Sequence, residues 1–351
     1  MNGAERVRAL VAAARRVADG TSELGRRARA LLVESTGLSA ENVAWGLEEA
    51  LETAASDAEI DGLVRTVTGR PQDAADEPHG VHLILPANVF VAAHRAIALG
   101  LAASARVYVR PSRREPVLTQ LLAEAAPGLF EIVADIAPEP GDHVWAYGGD
   151  RSLEAVRASL PEGTVLHAQG PGYGFALVDA SAVGEAAAAA LACDVAAFDQ
   201  RGCLSPRAAV VLGTREDARR FAALVARALA TRASEVPLGR LDAAELAEIR
   251  RFRDAATYAG ELLPAGPGGV FVTDGVRLGV APGGRHVTVS AAAGLESALS
   301  EIERSLVTAV GVAGPSALAR DVTAAVPGAR VSALGRMQLP AFDGPADRRS
   351  L

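Results

Sequence analysis

Lysine is absent from the 351-residue chain: all 35 basic side chains are arginine. Without an ε-amine there is no Schiff-base catalysis, no pyridoxal-phosphate anchor and no G-x-x-x-x-G-K-[ST] phosphate loop. Cysteine is nearly absent, with only Cys193 and Cys203, too few for a disulfide framework. The opening MNGAERVRAL has no hydrophobic core of a signal peptide, so reduced thiols in a cytoplasmic protein are the expectation. H-E-x-x-H, G-x-S-x-G and C-x-x-C do not occur, which removes the usual signals of a metalloprotease, an α/β-hydrolase and a zinc ribbon, and no metal is expected. The apolar stretch from Val81 to Val109 is broken by Pro86, Asn88, His94, Arg95 and Arg106, so it is no membrane span. A net charge of −7, with both signs interspersed, lacks the clustered cations of a nucleic-acid binder. A small-molecule partner is the default.

What is present is half apolar and alternates helix with strand. Residues 4 to 70 have helical spacing, with Ser39 opening LSAENVAWGLEEALETA and Asn42 where a capping box would place glutamate. A polar Pro/Gly linker follows at 69–80. VHLILP, VYVRPS, HVWAYGG and TVLHAQG are short apolar runs separated by NVFVAAHRAIALGLAASA, PVLTQLLAEAAPG and SLEAVRASLP, the pattern of parallel β-α-β units. A second α/β region starts near GFALVD. It contains LSPRAAVVLG as a strand, one helical stretch from 214 to 260, AGPGG (265–269) as a loop, and VRLGV and RHVTVS as later strands.

The strands of the first half end at Pro86-Ala87-Asn88, Arg110-Pro111-Ser112 and Tyr147-Gly148-Gly149. In an open parallel sheet these carboxyl ends share the rim where ligands bind. G-x-G-x-x-G is missing there, so motif reading alone leaves the ligand unnamed.

LPANVFVAAHRAIALGLAASARVYVRPSRREP resembles the aldehyde dehydrogenase superfamily, with its P-x-N segment and K-P-S-E strand end. HAQGPGYGFALVDASA, ALACDVAAFDQRGCLSPRAAVVLG and the tail LGRMQLPAFDGPADRR resemble, more specifically, the LuxC-type long-chain acyl-CoA reductases of bacterial luminescence. The resemblance implies an α/β fold with a doubly wound parallel-sheet cofactor domain and a second α/β catalytic domain. It sets the N-terminal helices and dinucleotide-binding domain at 1–165, the catalytic domain at 166–335 and a tail at 336–351. The chain departs from the family in three ways. It is short between Leu129 and Val144 and in the second half, its tail has Pro345-Ala346-Asp347-Arg348 in place of a histidine-bearing segment, and Ala168 stands where hydrolytic relatives carry a catalytic glutamate. Loss of that base disfavours water attack on a thioester and favours reduction.

The implied activity is reduction of a fatty acyl-CoA, or an acyl-protein thioester, to a fatty aldehyde through an acyl-Cys203 intermediate, Asn88 and the Cys203 amide donating to the oxyanion. An acyl-phosphate reductase of the same fold and a non-catalytic paralogue are the alternatives. His167, beside the vacant glutamate position, is a candidate to tune the thiol or replace the base. Pro86, Ala87, Arg110, Ser112, Arg113, Gly148 and Gly149 are the cofactor candidates. Arginine at 113 in place of the family's acid removes repulsion of a 2′-phosphate and offers it a bidentate partner, which favours NADPH. The bland readings are a helix cap for Asn88, a solvated strand end for Arg113 and Arg114, and a plain turn for the glycines. Acyl-protein synthetase and thioesterase subunits, and a homo-oligomer, are the partners the resemblance implies.

Overall fold

The computed structural model describes residues 1–68, 78–273 and 280–345. Four helices open the chain. α1 (Gly3–Ala18) begins with a capping box between Asn2 and Glu5. α2 (Glu23–Thr36) is capped by Ser22 and ends at Gly37, whose φ of 69° suits glycine. α3 (Ala40–Trp45) starts at Ser39 and passes into a π-helical turn that runs to Ala50, and α4 (Asp57–Thr68) follows. Most of the linker read at 69–80 lies outside the described residues.

The first sheet contains β1 (Val81–Ile84), β2 (Val107–Arg110), β3 (Glu131–Ile132), β4 (His143–Tyr147) and β5 (Val165–Gln169). All are parallel, in the order β3-β2-β1-β4-β5. α5 (Ala92–Ala103) joins β1 to β2, α6 (Val117–Ala125) joins β2 to β3, and α7 (Asp150–Ser159) joins β4 to β5. The sheet grows one way from β1 and the other way from β4, so right-handed crossovers set α5 and α6 on one face and α7 on the other. Side-chain alternation agrees: Val81, Leu83 and Val107 meet α5 at Gly100, where a β-carbon would lie 3.2–3.4 Å from all three. α1 packs across α5 and α6 as an outer layer. No helix joins β3 to β4. The shortening noted between Leu129 and Val144 falls here, and residues 133–142 border a cavity of about 290 Å³ over His82 and Tyr108.

The second sheet contains β6 (Tyr173–Asp179), β7 (Pro206–Leu212), β8 (Glu261–Ala265), β9 (Gly268–Val272), β10 (His286–Ala292), β11 (Val307–Ala313) and β12 (Arg330–Ala333). Their order is β12-β11-β6-β7-β10-β9-β8, parallel except for the β8–β9 hairpin. AGPGG is the turn of that hairpin, with Gly266 at φ 62°. Alternate residues of β6 and β7 face opposite layers. Ala176, Val178, Ala209 and Val211 pack toward α8 (Glu185–Ala196) and α9 (Arg215–Glu235), and Phe175, Leu177, Ala208 and Val210 toward α11 (Leu295–Ser300) and α12 (Ser316–Ala325). The stretch 214–260 is two helices, not one. α9 ends at Val236-Pro237, and α10 (Ala243–Ala259) restarts with a capping box from Asp242, because proline has no amide to continue the helix and clashes with its preceding turn. Most of VRLGV lies outside the described residues.

Candidate active site

The chain leaves α8 through Phe198, Asp199 and Gln200, three consecutive non-glycine residues at φ 51°, 50° and 66°. Left-handed backbone costs an L-residue roughly 1–2 kcal/mol, so this run has to be held by its surroundings. All three side chains are buried. One oxygen of Asp199 accepts from Arg285 Nη2 (2.7 Å) and Asn42 Nδ2 (3.3 Å), and the other accepts the Gly239 amide (2.9 Å). Gln200 pairs with the main chain of His286, donating to its carbonyl (2.6 Å) and accepting from its amide (2.9 Å), and Nε2 also reaches the Pro206 carbonyl (2.6 Å). Arg201 binds Glu245 and the carbonyls of Thr36 and Arg240. One side chain thus closes the loop from 200 to 206, and Cys203 lies within it, exposed. Thr308 Oγ donates to the Cys203 carbonyl. A β-carbon at Gly174 would fall 2.3 Å from the Leu204 carbonyl oxygen, so glycine is required there.

The segment carrying Asn88 packs on this loop. Phe90 meets Phe198 edge-on at 5.6 Å between centroids, and Val89 Cγ2 lies 3.0 Å from where a β-carbon of Gly202 would be. Pro86, Ala87 and Asn88 therefore belong to the same neighbourhood as Cys203. α5 begins only at Ala92, and no side chain caps it. The Asn88 side chain is exposed instead of capping.

β1 and β4 are neighbours from which the chain runs in opposite directions, the arrangement that opens a crevice at strand carboxyl ends. Pro86-Ala87 leaves one and Gly148-Gly149 the other. Gly148 N–H donates to the Gln169 carbonyl (3.1 Å). Gly149 caps α7 without a side-chain hydrogen bond, and a β-carbon there would meet nothing within 4 Å. Packing does not demand glycine at 149; its absent side chain leaves space beside the start of α7, where an anionic group is favoured by the helix dipole. The Leu85 amide donates to the Arg110 carbonyl (3.1 Å), setting the end of β2 beside Pro86. Arg110 leans on Asp135 (3.4 Å), and Ser112 Oγ accepts the Arg114 amide (3.2 Å). Arg114 crosses to Asp242 at 2.8 Å, whereas Arg113 is exposed and forms no ion pair among the described residues.

His167 lies on β5, half-buried, its Nε2 3.2 Å from His143 Nδ1 and its ring edge-on to Trp145. Burial, with the adjacent His167, pushes the His143 imidazole down to about 4. Ala168 is paired with Ala146 across β4–β5. Cys193 lies on α8, away from the loop, bordering a cavity of about 190 Å³ with Asn42, Trp45 and Leu339. Two residues that build the site escaped the sequence: Asn42 and Arg285. Asn42 donates to the Ala196 carbonyl and accepts from the Phe198 amide. The one signal it gave was the missing glutamate in the capping box, since its side chain is engaged elsewhere.

A two-sheet architecture with the Cys203 loop against the strand ends of a doubly wound sheet is the aldehyde dehydrogenase fold. An oxidoreductase from Marinobacter aquaeolei superposes with a TM-score of 0.72 at 15% identity, covering 100% of this chain and 82% of that one. Lactaldehyde dehydrogenase from Escherichia coli gives 0.71 at 16%, over 100% and 83%. An NAD-dependent aldehyde dehydrogenase from Sinorhizobium meliloti gives 0.69 at 17%, over 94% and 74%. No curated protein sequence matches the chain significantly. The model of the acyl-CoA reductase (LuxC) family matches residues 131–339, well over half of the chain. The protein belongs to that family, and it is an oxidoreductase that forms aldehydes from acyl groups. No helix among the described residues is long and apolar enough to cross a membrane.

Proposed function

We propose that the protein reduces a fatty acyl-CoA, or an acyl-protein thioester, to the aldehyde with NADPH through an acyl-Cys203 intermediate. The observation that carries this reading is an exposed cysteine on a buried, cross-braced loop packed against the Asn88 segment at the crevice. The Cys203 thiolate attacks the thioester carbonyl, and the carbon–sulfur bond to CoA breaks, releasing CoA thiolate. The Cys203 amide and Asn88 side chain donate to the oxyanion; one such donor is worth about 3 kcal/mol. Gly148, Gly149, Pro86, Ala87, Arg110 and Ser112 would hold a reduced nicotinamide, whose chemistry would be to give a hydride to the acyl carbon bound to Cys203. The thiohemiacetal oxyanion on Cys203 then collapses, its bond to sulfur breaks, and aldehyde and thiolate part. Ala168 offers no base to activate water against the thioester. His167, engaged with His143 and Trp145, suits a group that orients the end of β5 more than one that shuttles protons.

The preference for NADPH rests on Arg113. Of the three arginines at this strand end, Arg110 and Arg114 pair with acids whereas Arg113 forms no ion pair among the described residues, and a guanidinium binds a 2′-phosphate by two parallel hydrogen bonds. Intact mass with peptide mapping after incubation with tetradecanoyl-CoA tests the reading. An adduct is expected on the Cys203 peptide, absent in Cys203→Ala, discharged by NADPH faster than by NADH, with Arg113→Ala narrowing that difference. An adduct on another residue, or none with any acyl-CoA or acyl-protein donor, overturns it.

A further inference from the structure

Beyond β12 the chain crosses back over the cysteine loop to the first domain, and both ends of the crossing are anchored. At the near end the buried Asp194 carboxylate accepts the amides of Gly335 (2.6 Å) and Met337 (3.0 Å). Met337 is buried between β6 and β11: β-carbons at Gly174 and Gly311 would come 2.8 Å from its Cε and 2.6 Å from its sulfur. At the far end Arg95, paired with Glu52, donates to the carbonyls of Pro340, Ala341 and Gly344, and Arg330 to those of Ala341 and Pro345. Phe342, 2% exposed, is buried in the first domain's core.

Between these anchors Gln338 turns toward the nucleophile's loop. It is 6% exposed, its Nε2 lies 3.4 Å from Ser205 Oγ, and its Oε1 is 3.6 Å from where a β-carbon on Gly202 would lie. Gly202 and Ser205 are the two ends of the turn that contains Cys203, closed by the Ser205 amide donating to the Gly202 carbonyl at 3.1 Å. From this juxtaposition we propose that Gln338 is a positioning residue for Cys203, bracing the Gly202–Ser205 turn from behind so that the thiol and the Cys203 amide keep one geometry. The inference rests on the proposed role of Cys203. A small displacement of a nucleophile lowers the rate of attack far more than it lowers ground-state binding.

Gln338→Met fills nearly the same volume without hydrogen-bonding groups, and Ser205→Ala removes the partner while leaving every anchor in place. Amide exchange reads the brace without any substrate. In each variant the 202–205 amides are expected to exchange about tenfold faster while the rest of the chain and the melting temperature stay close to wild type. Cys203 acylation by acyl-CoA is expected to slow about tenfold with the half-saturating concentration little changed, and the double variant to be no slower than either single one. Wild-type exchange and acylation in Gln338→Met, or faster exchange spread over the whole chain, overturns the proposal. If wild-type protein takes no acyl group, the proposed function falls, and the exchange at 202–205 decides the brace by itself.

Discussion

Asp199→Asn tests what holds the left-handed run beneath Cys203. Asparagine has the shape of aspartate and tolerates left-handed backbone well, so the substitution leaves the conformational cost nearly unchanged and isolates the charge. The two carboxylate oxygens accept from donors on both sides, Arg285 and Asn42 on one and the Gly239 amide on the other. An asparagine amide group must turn its own N–H toward one of them, so at least one bond becomes a donor facing a donor. Arg285, 1% exposed, then faces only neutral acceptors among the described residues, with the Val236 and Pro237 carbonyls, for its buried charge. Removing one member of a buried ion pair costs about 3–5 kcal/mol, and the expected loss in urea-induced unfolding is in that range. Arg285→Met in the Asp199→Asn background removes the stranded charge and should lose no further stability. Iodoacetamide labelling of Cys203 should accelerate in the single variant as the loop opens. A loss below about 1 kcal/mol would refute the reasoning, because the pair would then be incidental to the run it spans.

Two further outcomes follow from buried carboxylates. Burial pushes Glu52 up, but Arg95 and His94 together outweigh it and hold the carboxyl at about 2. Its folded value lies below its unfolded one, so the stability it contributes is present above pH 4.5 and is lost as pH falls toward 2. In Glu52→Gln that part of the pH dependence should vanish, with a loss of about 3 kcal/mol at neutral pH read from urea midpoints. Asp194 is the opposite case: burial raises it to about 7 against the opposing effect of the Gly335, Met337 and Gln338 amides. It contributes stability at low pH that is lost as pH rises through 7, so on acidification from 7 to 4 Asp194 gains stability while His143 and His286, each pushed down to about 4 chiefly by burial, lose it. Asp194→Asn should therefore lose stability more steeply than wild type over that interval; an equal or shallower slope in urea melts would contradict the assignment.

The first sheet was legible because each parallel strand is a short apolar run stopped by proline, glycine or arginine, and VHLILP, VYVRPS and HVWAYGG carry that punctuation locally. β3, two residues long, gave no period to detect, and the antiparallel β8–β9 pair was hidden because AGPGG reads as a loop when its flanks are unassigned. The break between α9 and α10 was written as Pro237, but alanine-rich spacing on both sides masked it. At the site, Cys203 and its flanking Asp199 and Gln200 were recognisable as a motif; why they are needed was not. Their partners lie 86 residues away at Arg285 and His286 and 157 away at Asn42, and no local pattern records such a pairing.

The N-terminal helices gain their role from those distant pairings. Ala197 and Phe198 belong by burial to the core that α1, α5 and α6 build, not to that of the sheet from which Cys203 is presented. Asn42 fixes the exit of α8, Arg201 reaches back to the carbonyl that ends α2, and Gly46 is bare because any side chain there would strike Phe90 and Phe198. Neither domain alone holds the left-handed turn in place. Packing of the N-terminal helices on the exit of α8 shapes the Cys203 loop in the same contact that sets it against Asn88 and the strand ends. Cysteine geometry and crevice geometry are therefore a single property of the interface. A substitution that loosens α3 should be felt at Cys203, although it touches neither the thiol nor the rim.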